Sequence, residues 1–184
     1  MKNKELVKVV MGVLLLIVVV SSATYAAFVW ASDPDSGYIS GTSDCFVLDY
    51  TKGTDILSGD LELGSTYTDG IFVTVKAKLS STCNVENAIG TLYLNTDNIT
   101  SDYLITNKLI RYQVLEDGQP VDGGSGKIES KGRTSIYNNI NITGTEKTYT
   151  VYIWTSIEDV NDTNINDVMA SSYSGTVGMT AESR

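Results

Sequence analysis

IFVTVKAKL, residues 71–79, alternates with a period of two: Ile71, Val73, Val75, Ala77 and Leu79 are apolar, while Thr74, Lys76 and Lys78 between them are polar. Wound as a helix, the apolar residues would scatter around the axis. In a strand they line one face, so the stretch predicts a half-buried β-strand. Burying Lys76 and Lys78 unpaired would cost more than the strand gains, which assigns the odd-numbered residues to the core.

Outward from this strand the same period recurs. TYTVYIWTS, residues 148–156, sets Tyr149, Val151 and Ile153 on one face and Tyr152 and Trp154 on the other. These are β-branched and aromatic residues that suit a pleated surface, and a central strand is expected there. Further strands are expected over 45–50, 89–95, 109–115, 126–130, 134–142 and 175–182, with weaker ones near 57–63 and 103–105. The turn-forming clusters SGTSD, TKGTD, LEDGQPVDGGSG and EDVNDTNIND separate them, and almost no segment keeps helical periodicity for three turns. Eight to ten short strands with one core predict an all-β sandwich of the jelly-roll kind.

The N-terminus is different in kind. No charged residue occurs between Lys8 and Asp33, and Val9 to Val20 (VVMGVLLLIVVV) is almost purely aliphatic. Lys2, Lys4 and Lys8 precede this run, while Asp33 and Asp35 follow it, which keeps the N-terminus cytoplasmic and exports the remainder. Residues 1–31 are therefore expected to be a targeting helix, and 32–184 an extracellular domain. Two fates are open for the helix. The aliphatic block matches a signal-peptide core, followed by small residues that offer a cleavage site at Ala26 or Ala23, yet the whole uncharged run could span a bilayer as a retained anchor.

The chain holds 13 basic and 22 acidic residues among 184, a net charge of −9. Three of the basic residues lie in the targeting segment, so the exported part is more acidic still. Such a surface repels phosphate backbones and argues against a nucleic-acid partner. Cys45 and Cys83, the two cysteines, both lie in the exported part, where a disulfide is the expected state and two buried thiols the alternative. In the chain-entropy model the bridge contributes about 4 kcal/mol.

There is no histidine. That removes the usual general base, the Ser-His-Asp and Cys-His systems and the histidine-based zinc hydrolases, and the chain is read as non-enzymatic, with no cofactor. Asp159, Asn161, Asp162, Asn164 and Asp167 are spaced as oxygen ligands of a calcium loop would be, but without the glycine and closing glutamate of an EF-hand. The plainer reading of this stretch is a solvated turn. Asn98, Asn141 and Asn161 begin glycosylation sequons that a chain so rich in Asn, Ser and Thr produces by chance. Tyr152 and Trp154 offer a binding face or the completion of a core.

The junction Thr24-Tyr25-Ala26-Ala27-Phe28 resembles the signal-peptide end of the TasA/camelysin family, with Tyr25 in place of the family's tryptophan. ISGTSDCFVLDY (39–50) and LELGSTYTDGIFVTVKAKLSST (61–82) are similar to the family's first strands, and NDVMASSYSGTVGMTAES (166–183) to its last. Gly64 without a preceding proline, and the cysteine pair, depart from the pattern. The resemblance implies cleavage by a dedicated signal peptidase after Ala26, so that Ala27 and Phe28 begin the mature protein. It further implies a jelly-roll sandwich at the cell surface that self-associates, or joins related matrix subunits, into biofilm fibres by lending an N-terminal strand. Some members of the family are described as metalloproteases, an activity for which this chain has no histidine and no H-E-x-x-H. The alternative to a matrix subunit is an adhesin-like binding module held at the membrane through its N-terminal segment. In that case the stretch from Ala27 to Gly41 is only a tether.

Overall fold

The computed structural model describes residues 29–31, 45–51, 54–161, 165–169 and 171–183. The expected targeting helix, apart from its last three residues, and the cleavage residues Ala26 and Ala27 lie outside the described residues. Among the described residues no helix is long and apolar enough to cross a membrane.

Eleven strands are described: β1 (Val29–Ala31), β2 (Phe46–Tyr50), β3 (Ile56–Asp60), β4 (Leu63–Gly64), β5 (Ile71–Leu79), β6 (Ala88–Ile99), β7 (Ile110–Glu116), β8 (Gln119–Lys127), β9 (Gly132–Ile142), β10 (Lys147–Ser156) and β11 (Ser172–Ser183). They form two sheets. One runs β1-β11-β6-β9 with β3 also on β11, and the other runs β2-β5-β10-β7-β8 with β4 on β10. Every pairing is antiparallel except the two-residue contact of β4 with β10. The chain crosses from one sheet to the other at nearly every connection, so the two sheets cannot form independently of each other.

Between the sheets lies the core. On β5 the residues Val73, Val75, Ala77 and Leu79 are buried, whereas Phe72 is exposed and Thr74, Lys76 and Lys78 are half-buried, as the alternation and the cost of burying lysine require. They meet Leu92 and Leu94 of β6 and Val177, Met179 and Ala181 of β11. Each such side chain taken out of water contributes roughly 1.5–3 kcal/mol. The Tyr50 hydroxyl on β2 donates across the layers to the Val177 carbonyl on β11 at 2.7 Å, and within one sheet the hydroxyls of Thr96 and Tyr173 share a hydrogen bond at 3.0 Å.

Tyr93 is buried too, but on the outer face of its sheet. Its ring crosses Gly178, its partner on β11, and the guanidinium of Arg133 sits 3.7 Å from the ring centre. A Cβ at residue 178 would stand 2.3 Å from the Tyr93 ring, so glycine is what lets the ring lie flat there.

Cys45 and Cys83 form a disulfide with Cα atoms 4.6 Å apart across a sequence separation of 38. It ties the residue before β2 to the loop that follows β5.

Three expectations are corrected. The weak strand near 103–105 is a helix, Asp102–Thr106, whose Leu104 is buried. The cluster read as a long turn, LEDGQPVDGGSG, is largely strand: only Asp117 and Gly118 turn, with φ of 48° and 82°, and β8 begins at Gln119. Positive φ at both central residues is the hairpin geometry whose twist matches that of the flanking strands. The strand expected over 126–130 is consequently only the end of β8. Pro120 is tolerated because β8 is an edge strand, where a missing N–H costs no ladder bond.

Candidate functional site

Two parts of this sandwich present unsatisfied recognition chemistry. The first is the edge of β11. On one side β11 pairs with β6 along its whole length; on the other, β3 covers Ser172 to Thr176 only. Beyond β3, the strand β1 takes over, with Val29 opposite Glu182, Trp30 opposite Ala181 and Ala31 opposite Thr180. These three residues, grouped with the targeting segment in the division at residue 31, are thus part of the sheet. Without β1 the last turn of the ladder would leave backbone N–H and C=O groups of β11 open on that side.

The second part is the outer face of the other sheet. The period of β10 turns Tyr152 and Trp154 away from the core, and the register sets side chains of three other strands beside them. Phe72 of β5 and Gln113 of β7 flank Tyr152, and Arg111 of β7 flanks Trp154. Ser125 and Lys127 of the edge strand β8 continue the rungs beyond Gln113 and Arg111. Tyr67, from the 3₁₀ turn Tyr67–Asp69, packs edge-on against Tyr152 with ring centres 5.2 Å apart and planes at 62°, and Phe72 lies 5.2 Å from Tyr152 on a 34° tilt. Such offset and edge-on pairs hold each ring in place beyond their burial alone.

Local sequence explains how Tyr67 reaches the row. The Asp69 carboxylate accepts the Ser65 and Thr66 backbone N–H groups at 3.0 and 3.2 Å, which pins the turn. Gly70 then passes so close to β10 that a Cβ there would stand 2.3 Å from the Ile153 carbonyl oxygen.

Arg111, Gln113, Ser125, Lys127 and Trp154, with Tyr112 and Gly126, line an open groove of about 440 Å³. Phe72 is 44% exposed and Trp154 only 8%. Among the described residues the buried indole Nε1 of Trp154 has no acceptor.

Charge on this face is balanced locally. Asp159 accepts from the Arg111 Nε at 2.7 Å and from the Lys127 Nζ at 3.0 Å, and Glu158 adds a contact to Arg111 at 3.4 Å. The hydrogen bond from Arg111 is the main reason the Asp159 carboxyl is held below its ordinary range, and the reciprocal bond raises the Arg111 guanidinium. Further along, Lys76 and Lys78 grip Glu146 at 3.0 and 3.1 Å, which lowers that carboxyl as well.

Of the residues spaced like a calcium loop, Asp159 directs its oxygens to the side-chain cations Arg111 and Lys127. Asn161 is exposed, Asp162 and Asn164 lie outside the described residues, and so does the side chain of Asp167. Among the described residues no group of three or more acidic or cysteine ligands is gathered for a metal. Of the residues nominated from sequence, Tyr152 and Trp154 sit at the centre of the face. Arg111, Gln113 and Lys127 were missed; the alternation within 109–115 placed them on a strand, but nothing local says which strand lies beside it.

No family model matches the chain, and no curated protein matches it. Among solved structures it is similar to the CBM36-1 domain of a multidomain xylanase from the hindgut metagenome of Trinervitermes trinervoides, at 9% identity and a TM-score of 0.35 over 76% of this chain and 98% of that one. It is similar to a carbohydrate-binding module CBM36 in complex with calcium and xylotriose, at 10% identity and a TM-score of 0.33 over 72% and 98%. A PA14 sugar-binding domain from an RTX adhesin follows at 10% identity and a TM-score of 0.25 over 60% and 46%. The superpositions are loose, and neither fold nor function is taken from them.

Proposed function

We propose that the chain is an exported cell-surface structural subunit, a jelly-roll relative of the TasA/camelysin proteins, that assembles by adding its N-terminal segment as a strand to a neighbour's sheet. The observation that carries this reading is β1, a three-residue strand immediately after the proposed cleavage site, seated on the stretch of β11 that β3 leaves open. A strand so short is weakly held. The same main-chain bonds form equally well with a segment from a second copy, so exchange costs little and concentration favours it. A disulfide fits an oxidising, extracellular location.

Protein beginning at Ala27 and a variant lacking residues 27–38 are to be compared by sedimentation and electron microscopy. Concentration-dependent assembly of the first and not of the second is expected. A full-length mature protein that stays monomeric at every concentration removes the assembly reading.

A second reading is favoured by the aromatic face: a module tethered by a retained N-terminal helix and recognising a partner through the outer surface of the sheet. Mass spectrometry of the native N-terminus separates the two, since only the subunit reading requires a start at Ala27.

A further inference from the structure

We propose that the outer face of the β2-β5-β10-β7-β8 sheet, from Phe72 and Tyr152 across Gln113 to Ser125, binds a neutral carbohydrate chain. This gives the second reading its ligand, and it holds whether or not the chain also assembles.

The chemistry of the row points to a sugar. A pyranose has one face of C–H bonds that stacks on an aromatic ring, and a rim of hydroxyls, each of which donates and accepts. Here rings give way to hydrogen-bonding side chains at the spacing of neighbouring strands. Phe72 and Tyr152 are followed by Gln113 and Ser125 along one rung, and Trp154 by Arg111 and Lys127 along the next. Four strands at their usual separation make a track roughly 14 Å long, enough for a run of linked sugars rather than one. Because Asp159 clamps Arg111 and Lys127 in place, their remaining N–H groups are presented with little freedom left to lose on binding.

Charge argues for a neutral chain. Arg111 and Lys127 face Asp159 and Glu158, and Lys76 and Lys78 face Glu146, with Asp49 opposite Lys76 in the ladder. Among the described residues of this face each of these cations has a counter-charge beside it, which leaves little to draw a sulfate or uronate, and the chain as a whole carries −9. The row fits a protein partner less well. Covering it would strip water from the Arg111–Asp159 pair, and Gln113, Ser125, Arg111 and Lys127 confine the apolar part to one end of the row.

The test is calorimetry and affinity electrophoresis of the mature chain against neutral β-glucan, xylan, mannan and chitin-type oligosaccharides, with polygalacturonate and heparin as anionic comparators. Binding of at least one neutral chain is expected, weakened roughly tenfold by Tyr152→Ala and by Gln113→Ala, each of which removes one stacking or hydrogen-bonding partner. Lys108→Ala, away from the row, leaves it unchanged. Thermal unfolding of each variant verifies that it is folded, and the half-buried Gln113→Ala decides if Tyr152→Ala is not. The inference is overturned if no neutral chain binds, if the anionic ones bind better, or if Phe72→Ala instead abolishes a dimer seen by sedimentation. The tethered-module reading is judged separately, by the N-terminal mass.

Discussion

Asp159, at the end of the 3₁₀ turn after β10, accepts a hydrogen bond from the Nε of Arg111 on β7 at 2.7 Å, and with Lys127 on β8 it ties three successive elements into one network. Its side chain is only 17% exposed, so solvent screens the pairing weakly. Asp159→Asn leaves Lys127 without its counter-charge and Arg111 with only the exposed Glu158, and is expected to lower stability by roughly 1–3 kcal/mol. The pair Lys108–Glu129, more than half exposed on both sides, is the control: Lys108→Ala is expected to cost no more than about 0.5 kcal/mol. Chemical denaturation of both variants measures the difference, and equal midpoints would show that the network contributes nothing.

The pH dependence of stability follows from groups at the two ends of the scale. The Asp159 and Glu146 carboxyls are held below their ordinary values of 3.8 and 4.5, so the stability they contribute is present above those values and is lost as pH falls through the lower folded ones. Tyr173 and Tyr149 are pushed up from 10.0, mainly by burial, so their contribution is complete below 10.0 and is lost as pH rises past it. With no histidine in the chain and Cys45 and Cys83 in a disulfide, no side-chain type present ordinarily titrates near neutrality. A thermal midpoint that is level through neutrality, falling below about pH 4 and above about pH 10, is expected from circular dichroism. A step near pH 6–7 would contradict this account.

Reduction of the Cys45–Cys83 bridge, or Cys45→Ala with Cys83→Ala, is expected to cost about 4 kcal/mol, the entropy returned to an unfolded chain freed of a long closed loop. Denaturant titration with and without reductant measures it. An unchanged denaturant slope together with a lower midpoint would place the loss in stability rather than in a change of the unfolded chain's compactness. A midpoint unmoved by reduction would mean that the bridge adds nothing to the fold.

How far each element was legible depends on how local its cause is. The face that β5 buries follows from two lysines, and Lys76 and Lys78 stay at the surface whatever strand lies alongside. The helix Asp102–Thr106 was read as a weak strand because five residues are too few to show a period of 3.6, and its position is set by Leu104 entering the core. β8 was hidden by composition. Gly123 and Gly124 read as loop, and they are held in a strand because Asp117 and Gly118 close a hairpin that places β8 against β7.

What the amino-acid order determined by itself is the period-two patterning, the absence of histidine chemistry, the acidic balance and the apolar N-terminal run, since each depends only on residues near one another or on totals. Tyr152 and Trp154 were likewise identifiable as outward-facing from their own strand. Only the tertiary structure decided that Phe72, Gln113, Arg111 and Lys127 stand beside them, that Asp159 is held by Arg111 and Lys127, and that Val29 to Ala31 completes the edge of β11. The physical reason is the wiring. The chain changes sheet at nearly every connection, so neighbours within a sheet are far apart in sequence, and their pairing is selected by how both sheets bury one shared core.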